Sequence, residues 1–523
     1  MNHSPLRKLP IGIQSFEFLR QEGYLYVDKT ALIYQLVTMG KPYFLSRPRR
    51  FGKSLLLSTL EAYFLGKREL FHGLAIEQLE ENWYVHPVLH LSLNAERYDS
   101  REVLQDFLEG QLREWEALYG CTPHERDSIS VRFMAVIRQA CQQTGRRVVV
   151  LIDEYDKPLL RNFHNPDLQD DFREMLTAFY TVLKDADPWL QFVFITGVTK
   201  FAQMGIFSNL NQLQDISFTL DYNTLCGLTQ EEIVATFQPE MEAMRKENDL
   251  STDEVMELMT RQYDGYRFTA SKNFTPMYNP FSVLNALQQR TFNDYWFSSG
   301  TPTFLAEMLK KTNFDLRLMD GIQVGYASLQ DDRADIDNPV PMVYQSGYLT
   351  IKDYDNRFKM YTLGFPNDEV KYGFLNFATP FYTPVSQNET KFHIGLFTQE
   401  LESGNVDAFL TRLRAFFAGN SYELQGENNE RHYQIIFFII FKLMGQFTDA
   451  EVRSSHGRAD AVVKTKDIIY VFEFKLHDTA QAALQQIDEK GYLIPYTVDG
   501  RRLVKVGVSF DPEKRNIGEW VVG

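Results

Sequence analysis

The chain has 523 residues, 44% of them hydrophobic and 24% charged, so it can form several cores and is neither disordered nor fibrous. It carries 54 Lys and Arg against 69 Asp and Glu, a net charge of −15, so contact with a polyanion requires a local basic patch or a bound cation. Its three cysteines lack C-x-x-C spacing and its first ten residues lack an apolar run, which argues against a disulfide framework, a zinc site and a signal peptide and predicts a cytoplasmic protein that crosses no membrane.

Residues 40–220 alternate between apolar strands and helices, which is the pattern of a mostly parallel sheet with helices on both faces. Several of the strands are nearly continuous apolar runs, as is typical of strands that are covered on both sides. The predicted strands are Tyr43–Ser46, Val88–Leu93, Val148–Asp153, Phe192–Thr196 and Ile216–Leu220, and the predicted helices between them include Ser54–Leu65 and Arg101–Tyr119.

A phosphate-binding motif, S-R-P-R-R-F-G-K-S, lies between the first predicted strand and the first predicted helix. Gly52, Lys53 and Ser54 match the second half of G-x-x-x-x-G-K-[ST], in which backbone N–H groups and the lysine bind phosphates and the hydroxyl binds Mg²⁺. Arg47 stands where the motif has its first glycine, and together with Arg49, Arg50 and Lys53 it forms a basic cluster that is predicted to clamp phosphate. A chance G-K-S at a helix start and a solvated basic turn are the alternatives.

Polar residues follow two later strands of the same region. Asp153 ends a buried strand and is predicted to hold the Mg²⁺ that Ser54 also ligates, while Glu154 is predicted to orient the attacking water. Thr196 or Thr199, after the next strand, is predicted to contact the γ-phosphate. The alternatives are a solvated strand end for Asp153 and Glu154 and a simple turn for the two threonines.

The motifs of residues 1–220 resemble those of bacterial AAA-ATPase-like proteins. The resemblance rests on the run Leu9–Leu57, with Y-V-D-K-T at Tyr26–Thr30, on D-E-Y-D-K-P at Asp153–Pro158 and on I-T-G-V-T-K-F at Ile195–Phe201, which agree in order. It implies a P-loop NTPase core with an additional strand and ATP as the nucleotide. The resemblance also implies that Arg47 is the usual residue at its position.

Residues 221–385 have a different pattern. Thr229 and the two acids after it form a typical helix start, and helical periodicity continues to about Met259. A hairpin is predicted later, with strands at Gly347–Ile351 and Arg357–Leu363. This order predicts a helical, winged-helix-like region, with a small α+β lid as the alternative.

Residues 386–523 form a third predicted unit, with the element order helix, hairpin, helix, strand. The predicted elements are a helix at Glu430–Met444, strands at Ala459–Lys464 and Ile468–Leu476, a helix at Thr479–Lys490 and a strand at Leu503–Ser509.

The hairpin of this unit carries two carboxylates and a lysine. Glu473 and Lys475 are two residues apart on one strand, so their side chains project from the same face. Pairing of the hairpin brings Asp460 close to Glu473. Two carboxylates with a lysine beside them suit a Mg²⁺ site with a cation that positions water, and a cross-strand salt bridge is the alternative.

This constellation resembles that of the PD-(D/E)XK nuclease superfamily. The resemblance places Asp460, Glu473 and Lys475 on the acid, acid and lysine positions of the superfamily. It also matches Glu430 to the helical glutamate and Gln486 to a polar residue on the following helix, although an ordinary surface or capping role explains these two equally well. Modules of this kind commonly accompany the AAA-ATPase-like core.

The sequence thus predicts an α/β multidomain protein with a P-loop NTPase domain at 1–220, a lid at 221–385 and a restriction-endonuclease-like domain at 386–523. The expected cofactors are ATP and Mg²⁺, and the expected activities are an ATPase and a Mg²⁺-dependent nuclease. The expected partners are a nucleotide and a nucleic acid, DNA rather than RNA, with a homo-oligomer left open. The alternative is a nucleotide-binding signalling or scaffold switch whose C-terminal domain does not cut.

Overall fold

The computed structural model describes residues 7–523 apart from 41, 125, 163–164, 201–206, 208–209, 211, 301–304, 306–308, 310–313, 330–338, 384, 419–428, 446, 453–458, 512 and 514–515. The side chains of 418, 429–433 and 451–452 also lie outside the described part. The chain forms two compact units, Met1–Met308 with Gly321–Glu369 and Leu309–Asp320 with Val370–Gly523. No helix among the described residues is long and apolar enough to cross a membrane.

The first unit is built on a parallel five-stranded sheet with the strand order β2-β3-β4-β1-β5. All six residues of its third strand are buried, as expected for a strand covered on both faces. The strands are β1 (Tyr43–Ser46), β2 (Val88–Ser92), β3 (Val148–Asp153), β4 (Leu190–Gly197) and β5 (Gln214–Asp215). The α/β class and the parallel sheet predicted for this part of the chain are confirmed.

The fifth predicted strand, Ile216–Leu220, is wrong in its position. Pairing with β1 ends when the Ile216 N–H donates to the Phe44 carbonyl (3.0 Å). The next bond to β1 runs from the Ser46 N–H to the Ser217 hydroxyl (2.8 Å) instead of to a backbone carbonyl. A side-chain hydrogen bond thus replaces the backbone pairing between the two strands. The strand ends at Asp215, before the apolar residues from Ile216 on that suggested it.

The helices of the first unit cover the sheet and form most of the region after it. Three of them, α5, α6 and α8, pack together, with the rings of Phe133 and Phe179 stacked at 4.4 Å. The helices are α1 (Phe16–Gln21), α2 (Thr30–Met39), α3 (Lys53–Phe64), α4 (Ile76–Leu79), α5 (Arg101–Tyr119), α6 (Ile129–Thr144), α7 (Lys157–Arg161), α8 (Pro166–Asp185), α9 (Gln230–Thr236), α10 (Gln238–Glu247), α11 (Thr252–Tyr263), α12 (Pro280–Gln289), α13 (Tyr295–Ser298), α14 (Tyr326–Leu329) and α15 (Val340–Gln345).

The middle region is helical, as predicted, and contains an antiparallel sheet of three strands in the order β6-β8-β7. These are β6 (Ile322–Gly325), β7 (Thr350–Asp355) and β8 (Met360–Gly364). The predicted hairpin exists, but its turn is later than predicted, because Asp355 Oδ1 accepts the N–H groups of Arg357 and Phe358 (2.8 and 3.0 Å). Residues 221–308 and 321–369 lie in the same unit as the parallel sheet. The predicted three-domain division stays a prediction.

The second unit contains a mixed sheet with the order β13-β12-β11-β10-β9, in which β11 and β12 are parallel and the other neighbours antiparallel. The predicted hairpin and the helix after it are present. Its strands are β9 (Asp449–Val452), β10 (Ala461–Lys464), β11 (Ile468–Lys475), β12 (Arg502–Asp511) and β13 (Asn516–Val522), and its helices are α16 (Asp368–Tyr382), which begins just before the unit boundary, α17 (Gln387–Glu402), α18 (Val406–Ala418), α19 (Asn429–Met444) and α20 (Ala480–Glu489).

The two faces of β11 pack against different helices. Ile469 and Val471 form a core cluster with Ile487 of α20. The alternate residues of β11 point to the opposite face of the sheet. One of them is Phe474, whose ring stacks on Phe437 of α19 at 4.1 Å. Because side chains alternate along a strand, Glu473 continues the face that packs on α20.

Gly507 sets how closely α20 approaches this sheet. It lies beside Glu473 in the parallel register of β11 and β12. A Cβ on Gly507 would lie 2.2 Å from the Ala480 carbonyl oxygen and 2.7 Å from the Leu484 nitrogen. The helix backbone therefore rests directly on the glycine, and this contact holds α20 next to Glu473.

We expect Gly507→Ala to destabilise the protein by about 1–3 kcal/mol, because the added methyl group must displace the backbone of α20. Gly395→Ala is the matched control, since a Cβ there meets no atom within 4 Å and alanine in a helix interior is favoured over glycine by about 0.5–1 kcal/mol. Urea unfolding followed by circular dichroism measures both variants. Equal stability of the two variants would contradict the close contact.

Candidate nucleotide and phosphodiester sites

The loop between β1 and α3 ends in a helix N-terminus that is open to a cavity. Gly52 is the N-cap of α3 with φ 92°, in the left-handed region that favours glycine. A Cβ on Gly52 would meet no atom within 4 Å, and residues Gly52, Lys53 and Ser54 all line the cavity. Free backbone N–H groups and the helix dipole make such a terminus suitable for a phosphate group.

Lys53 is buried and points its ammonium group into its own loop. Its Nζ donates to the carbonyl oxygens of Arg47 (2.8 Å) and Pro48 (3.0 Å). Burial lowers the pKa of Lys53, while the carboxylates of Glu154 and Asp153 act in the opposite direction. The Lys53 ammonium thus lies within its own loop, where the charges of Glu154 and Asp153 act on it, and its predicted contact with phosphate stays a prediction.

A single carboxylate connects the loop with two strand ends. The Ser54 hydroxyl donates to Asp153 Oδ2 (2.6 Å), and the Thr196 hydroxyl donates to Asp153 Oδ1 (2.7 Å). These side chains come from α3, β3 and β4, whose ends meet at one edge of the parallel sheet. A hydroxyl and a carboxylate beside a phosphate-binding terminus are oxygen donors that fit Mg²⁺.

Glu154 lies on the cavity wall in an unfavourable backbone conformation. Its φ is 52°, which is uncommon for a residue with a side chain and is found at functional sites. Its Oε2 lies 3.5 Å from the ammonium of Lys157, which also donates to the Asn94 carbonyl (2.9 Å). A carboxylate held in this position is available to a molecule in the cavity.

The three arginines predicted to clamp phosphate lie in different places, and Arg49 lines the cavity. Arg50 lines the cavity, and its guanidinium lies over the Phe281 ring at 4.9 Å. Arg47 is buried, donates to the Ser46 and Ser217 carbonyls (2.9 and 2.8 Å) and lies over the Phe268 ring at 4.2 Å. Burial lowers its pKa to about 10. The structure does not bring the Arg47 side chain to the cavity, so its predicted contact with phosphate is not supported.

The cavity has a volume of about 860 Å³, with a polar end and an apolar end. The polar end is formed by the loop and by Glu154, Asp156 and Lys157. The apolar end is formed by side chains from the first helices and from the middle region, Ile13, Leu25, Val27, Phe237 and Leu284. Charged and apolar side chains contribute to the lining in comparable measure, and these two ends suit the phosphates and the base of a nucleotide.

The middle region binds the backbone of the loop between β1 and α3. The Trp296 indole N–H donates to the Arg49 carbonyl (3.0 Å), and the Gly227 N–H donates to the Phe51 carbonyl (3.1 Å). The Phe51 ring packs edge-on against Tyr266 at 4.8 Å. The position of the phosphate-binding loop therefore depends on residues after 220, which the loop motif alone does not indicate.

Asp156 is a site residue that sequence reasoning missed, and its partner is Thr199, whose predicted contact with the γ-phosphate is not supported. Thr199 is fully buried, is not among the described lining residues of the cavity, and donates its hydroxyl to Asp156 Oδ2 (2.6 Å). Asp156 itself lines the cavity. The signal was present in D-E-Y-D-K-P, where a third acid follows Asp153 and Glu154.

The second unit brings four predicted residues together. Asp460 Oδ2 accepts the Phe474 N–H (2.9 Å), which places it beside Glu473 across the hairpin. Lys475 Nζ lies 3.6 Å from Glu473 Oε1. The Gln486 side chain on α20 donates to Glu473 Oε1 and accepts from Lys475 Nζ.

Glu430, the fifth predicted residue of this site, lies near the start of α19, and its side chain is outside the described residues.

Glu473 is a buried carboxylate with one free oxygen. Only 4% of the residue is exposed, and Oε2 has no hydrogen-bond partner among the described residues. Burial, and secondly the charge of Asp460, raise the pKa of Glu473 to about 7, and burial also raises the pKa of Asp460. An unsatisfied buried oxygen beside a second carboxylate fits a hard divalent cation.

The described residues contain no group of three or more His, Cys, Asp or Glu side chains that could hold a metal ion. Each candidate Mg²⁺ site therefore has one or two carboxylates. This number suits Mg²⁺, which is usually bound by one or two carboxylates together with water and phosphate oxygens.

Comparisons with known proteins agree with this division into two sites. Residues 10–207 match a family model described as a predicted AAA-ATPase, and residues 428–520 match the PD-(D/E)XK nuclease superfamily. The chain is 36% identical over 533 residues to an uncharacterized protein in the vnfD 5′ region of Azotobacter chroococcum mcd 1, with 99% of each covered. The Aeropyrum pernix ORC1 protein, solved in complex with DNA, matches at 10% identity and a TM-score of 0.23, with 67% of this chain and 92% of that chain covered.

We expect Glu473→Gln to stabilise the metal-free protein at pH 8, by at most about 3 kcal/mol. The pKa of Glu473 is about 7 in the folded chain and near its ordinary value when unfolded, so the folded chain holds the proton more tightly. The free energy of unfolding of the parent protein therefore falls as the pH rises towards 7. The glutamine side chain of the variant does not ionise, so the variant avoids this loss. Thermal unfolding in a chelator at pH 5 and pH 8 measures the effect.

The gain from Glu473→Gln should be small at pH 5, where the glutamate is mostly protonated in the folded chain. Glu489→Gln is the control, because Glu489 is exposed on the same unit. A loss of stability at pH 8, or the same change at both pH values, would contradict a raised pKa at Glu473.

Proposed function

The chain belongs to the AAA-ATPase-like family and carries a C-terminal domain of the PD-(D/E)XK nuclease superfamily, and from this premise we propose that it hydrolyses ATP and cuts DNA with Mg²⁺. ATP hydrolysis is assigned to the loop at Gly52–Ser54 with Asp153 and Glu154. Cleavage of phosphodiesters is assigned to Asp460, Glu473 and Lys475.

The observation that carries this proposal is the buried Oε2 of Glu473, which lies beside Asp460 and Lys475 and has no hydrogen-bond partner in the part of the chain that the structure describes. Burying a carboxylate oxygen without a hydrogen-bond partner costs free energy, so such a group is expected at a functional site. A salt bridge with Lys475, the structural alternative, leaves this oxygen unsatisfied. A metal ion would satisfy it.

At the nucleotide site, each side chain has a defined task. The Lys53 ammonium exchanges the Arg47 and Pro48 carbonyls for phosphate oxygens, and Glu154 orients the attacking water. Mg²⁺, held by Ser54 and Asp153, would neutralise charge on the β- and γ-phosphates. Thr196 keeps the Asp153 carboxylate oriented through its hydrogen bond to Oδ1.

At the phosphodiester site, Lys475 holds the attacking water and favours its deprotonated form by its charge. Gln486 orients both Glu473 and Lys475 through its amide. Mg²⁺ on Asp460 and Glu473 would polarise the phosphodiester and stabilise the leaving oxygen. The same cation offsets the repulsion between DNA and a chain with a net charge of −15.

A second candidate function is a nucleotide switch that turns ATP over slowly and does not cut DNA. It is favoured by the contact between Glu154 and Lys157, which competes with the orientation of water. Rates of ATP turnover and DNA cutting by the parent protein separate the two functions.

We expect Asp460→Ala to abolish Mg²⁺-dependent cutting of plasmid DNA, because it removes a metal ligand and leaves Glu473 as the only carboxylate among the described side chains of the site. Asp488→Ala is the matched control, since Asp488 is exposed on the same unit and pairs with Lys505 (2.8 Å). Gel electrophoresis of the DNA measures cutting. If Asp460→Ala cuts as fast as the control, the assigned nuclease site is wrong.

We expect Lys53→Ala to weaken ATP binding by roughly 10- to 100-fold, since a charge-assisted hydrogen bond contributes about 1.5–3 kcal/mol. Lys184→Ala, at an exposed position of α8, is the control. Glu154→Gln should retain ATP binding and lower the rate of turnover. Calorimetric titration and phosphate release measure the two effects, and unchanged ATP affinity of Lys53→Ala would exclude the assigned loop.

A further inference from the structure

The Asp156 carboxylate gathers three donors from the segment that follows β4. Its Oδ2 accepts the N–H of Val198 (3.0 Å), the N–H of Thr199 (2.6 Å) and the hydroxyl of Thr199 (2.6 Å). The residue is 1% exposed and lines the cavity at its polar end. One oxygen atom thus fixes the backbone of two successive residues.

The neighbouring residues fasten the same segment. Tyr155, just before the aspartate, donates its hydroxyl to the Thr199 carbonyl (3.0 Å) and its N–H to the Thr196 carbonyl (3.1 Å). A Cβ on Gly197 would lie 2.4 Å from the Tyr155 ring and 2.9 Å from Asp156 Oδ1. Only glycine permits this approach, so the turn after β3 and the segment after β4 pack directly against each other and form one wall of the cavity, which Asp156 and Val198 line.

This arrangement is costly for the fold. Burial raises the pKa of Asp156, while the two hydrogen bonds from Thr199 act in the opposite direction. Asp156 Oδ1 has no hydrogen-bond partner among the described residues. Burying a carboxylate with one unsatisfied oxygen costs free energy, and such a cost is expected where the position of the held segment matters for function rather than for stability.

The direction of the hydrogen bonds decides what Thr199 can do. Because Oδ2 accepts two backbone N–H groups, it is an acceptor for the Thr199 hydroxyl as well. The hydroxyl proton is therefore committed to Asp156 and is not available to a phosphate oxygen. Thr199 supports the wall, and Val198 is the residue of this segment that lines the cavity.

We propose that Asp156 is a positioning residue for ATP hydrolysis, which holds the Val198–Thr199 segment as a fixed wall at the phosphate end of the cavity. This inference rests on the proposed ATPase function. A fixed wall keeps the reacting groups aligned and contributes little to nucleotide binding, so it affects turnover more than affinity.

The experiment compares Asp156→Ala, Asp156→Asn, Thr199→Val and the double variant Asp156→Ala/Thr199→Val in the full chain. We expect Asp156→Ala to lower kcat for ATP by about tenfold or more, with KM for ATP and the dissociation constant of ADP within about threefold of the parent. Asp156→Asn keeps one acceptor oxygen and should recover part of kcat. The double variant should be no slower than Asp156→Ala, because both changes act on one contact.

Glu116→Gln is the control for loss of a buried carboxylate, since Glu116 pairs with Arg132 (2.7 Å) in the same unit and is not among the described lining residues. Its kcat should equal that of the parent. Parallel loss of kcat and ADP affinity in Asp156→Ala, additive losses in the double variant, or a kcat within about twofold of the parent would overturn the inference.

The parent protein separates this inference from the proposed function. A parent that hydrolyses ATP and tolerates Asp156→Ala overturns the inference alone. A parent that binds ATP without turnover overturns the inference and leaves nucleotide binding in place. A parent that binds no ATP overturns both.

Discussion

The hydrogen bonds to the Asp153 carboxylate are the interaction on which the site of the first unit depends. The carboxylate accepts one hydroxyl from the helix after β1 and another from the end of β4, so three adjacent elements meet at a single side chain. A parallel sheet makes this possible because the carboxyl ends of all its strands lie at one edge. The open N-terminus of α3 lies at the same edge, an arrangement that suits the proposed binding of a nucleotide with Mg²⁺. The cavity extends from this point.

The second unit solves a similar problem with a different sheet. The face of β11 that carries Ile469 and Val471 is buried and apolar, and it continues with the polar residues Glu473 and Lys475. Helix α20 packs against both parts of this face. The contact at Gly507 places the helix backbone against the sheet, and Gln486 then reaches both Glu473 and Lys475. In both units, carboxylates are buried at a cost in free energy, which is expected where function rather than stability determines the residue.

The arginine at the first position of the loop illustrates how the fold accommodates an unusual residue. A glycine is common at such a position because the turn is tight and the backbone approaches the phosphates. Here the Arg47 guanidinium turns away from the cavity, donates to the Ser217 carbonyl and lies over the Phe268 ring. The Arg47 carbonyl meanwhile accepts from Lys53. The Arg47 side chain thus connects the loop to the middle region through its contact with Phe268.

The sequence by itself determined the α/β class, four of the five strands of the first sheet, the loop at Gly52–Ser54 and the hairpin with Asp460, Glu473 and Lys475. These features follow from local signals, since hydrophobic periodicity and the spacing of polar residues along a strand depend only on near neighbours. The tertiary structure alone decided that β5 ends before Ile216, that Arg47 leaves the cavity and that Asp156 binds Thr199. Each of these depends on contacts between residues far apart in the chain, such as Ser46 with Ser217 or Arg47 with Phe268, and local pattern carries no information about which distant group will satisfy a donor.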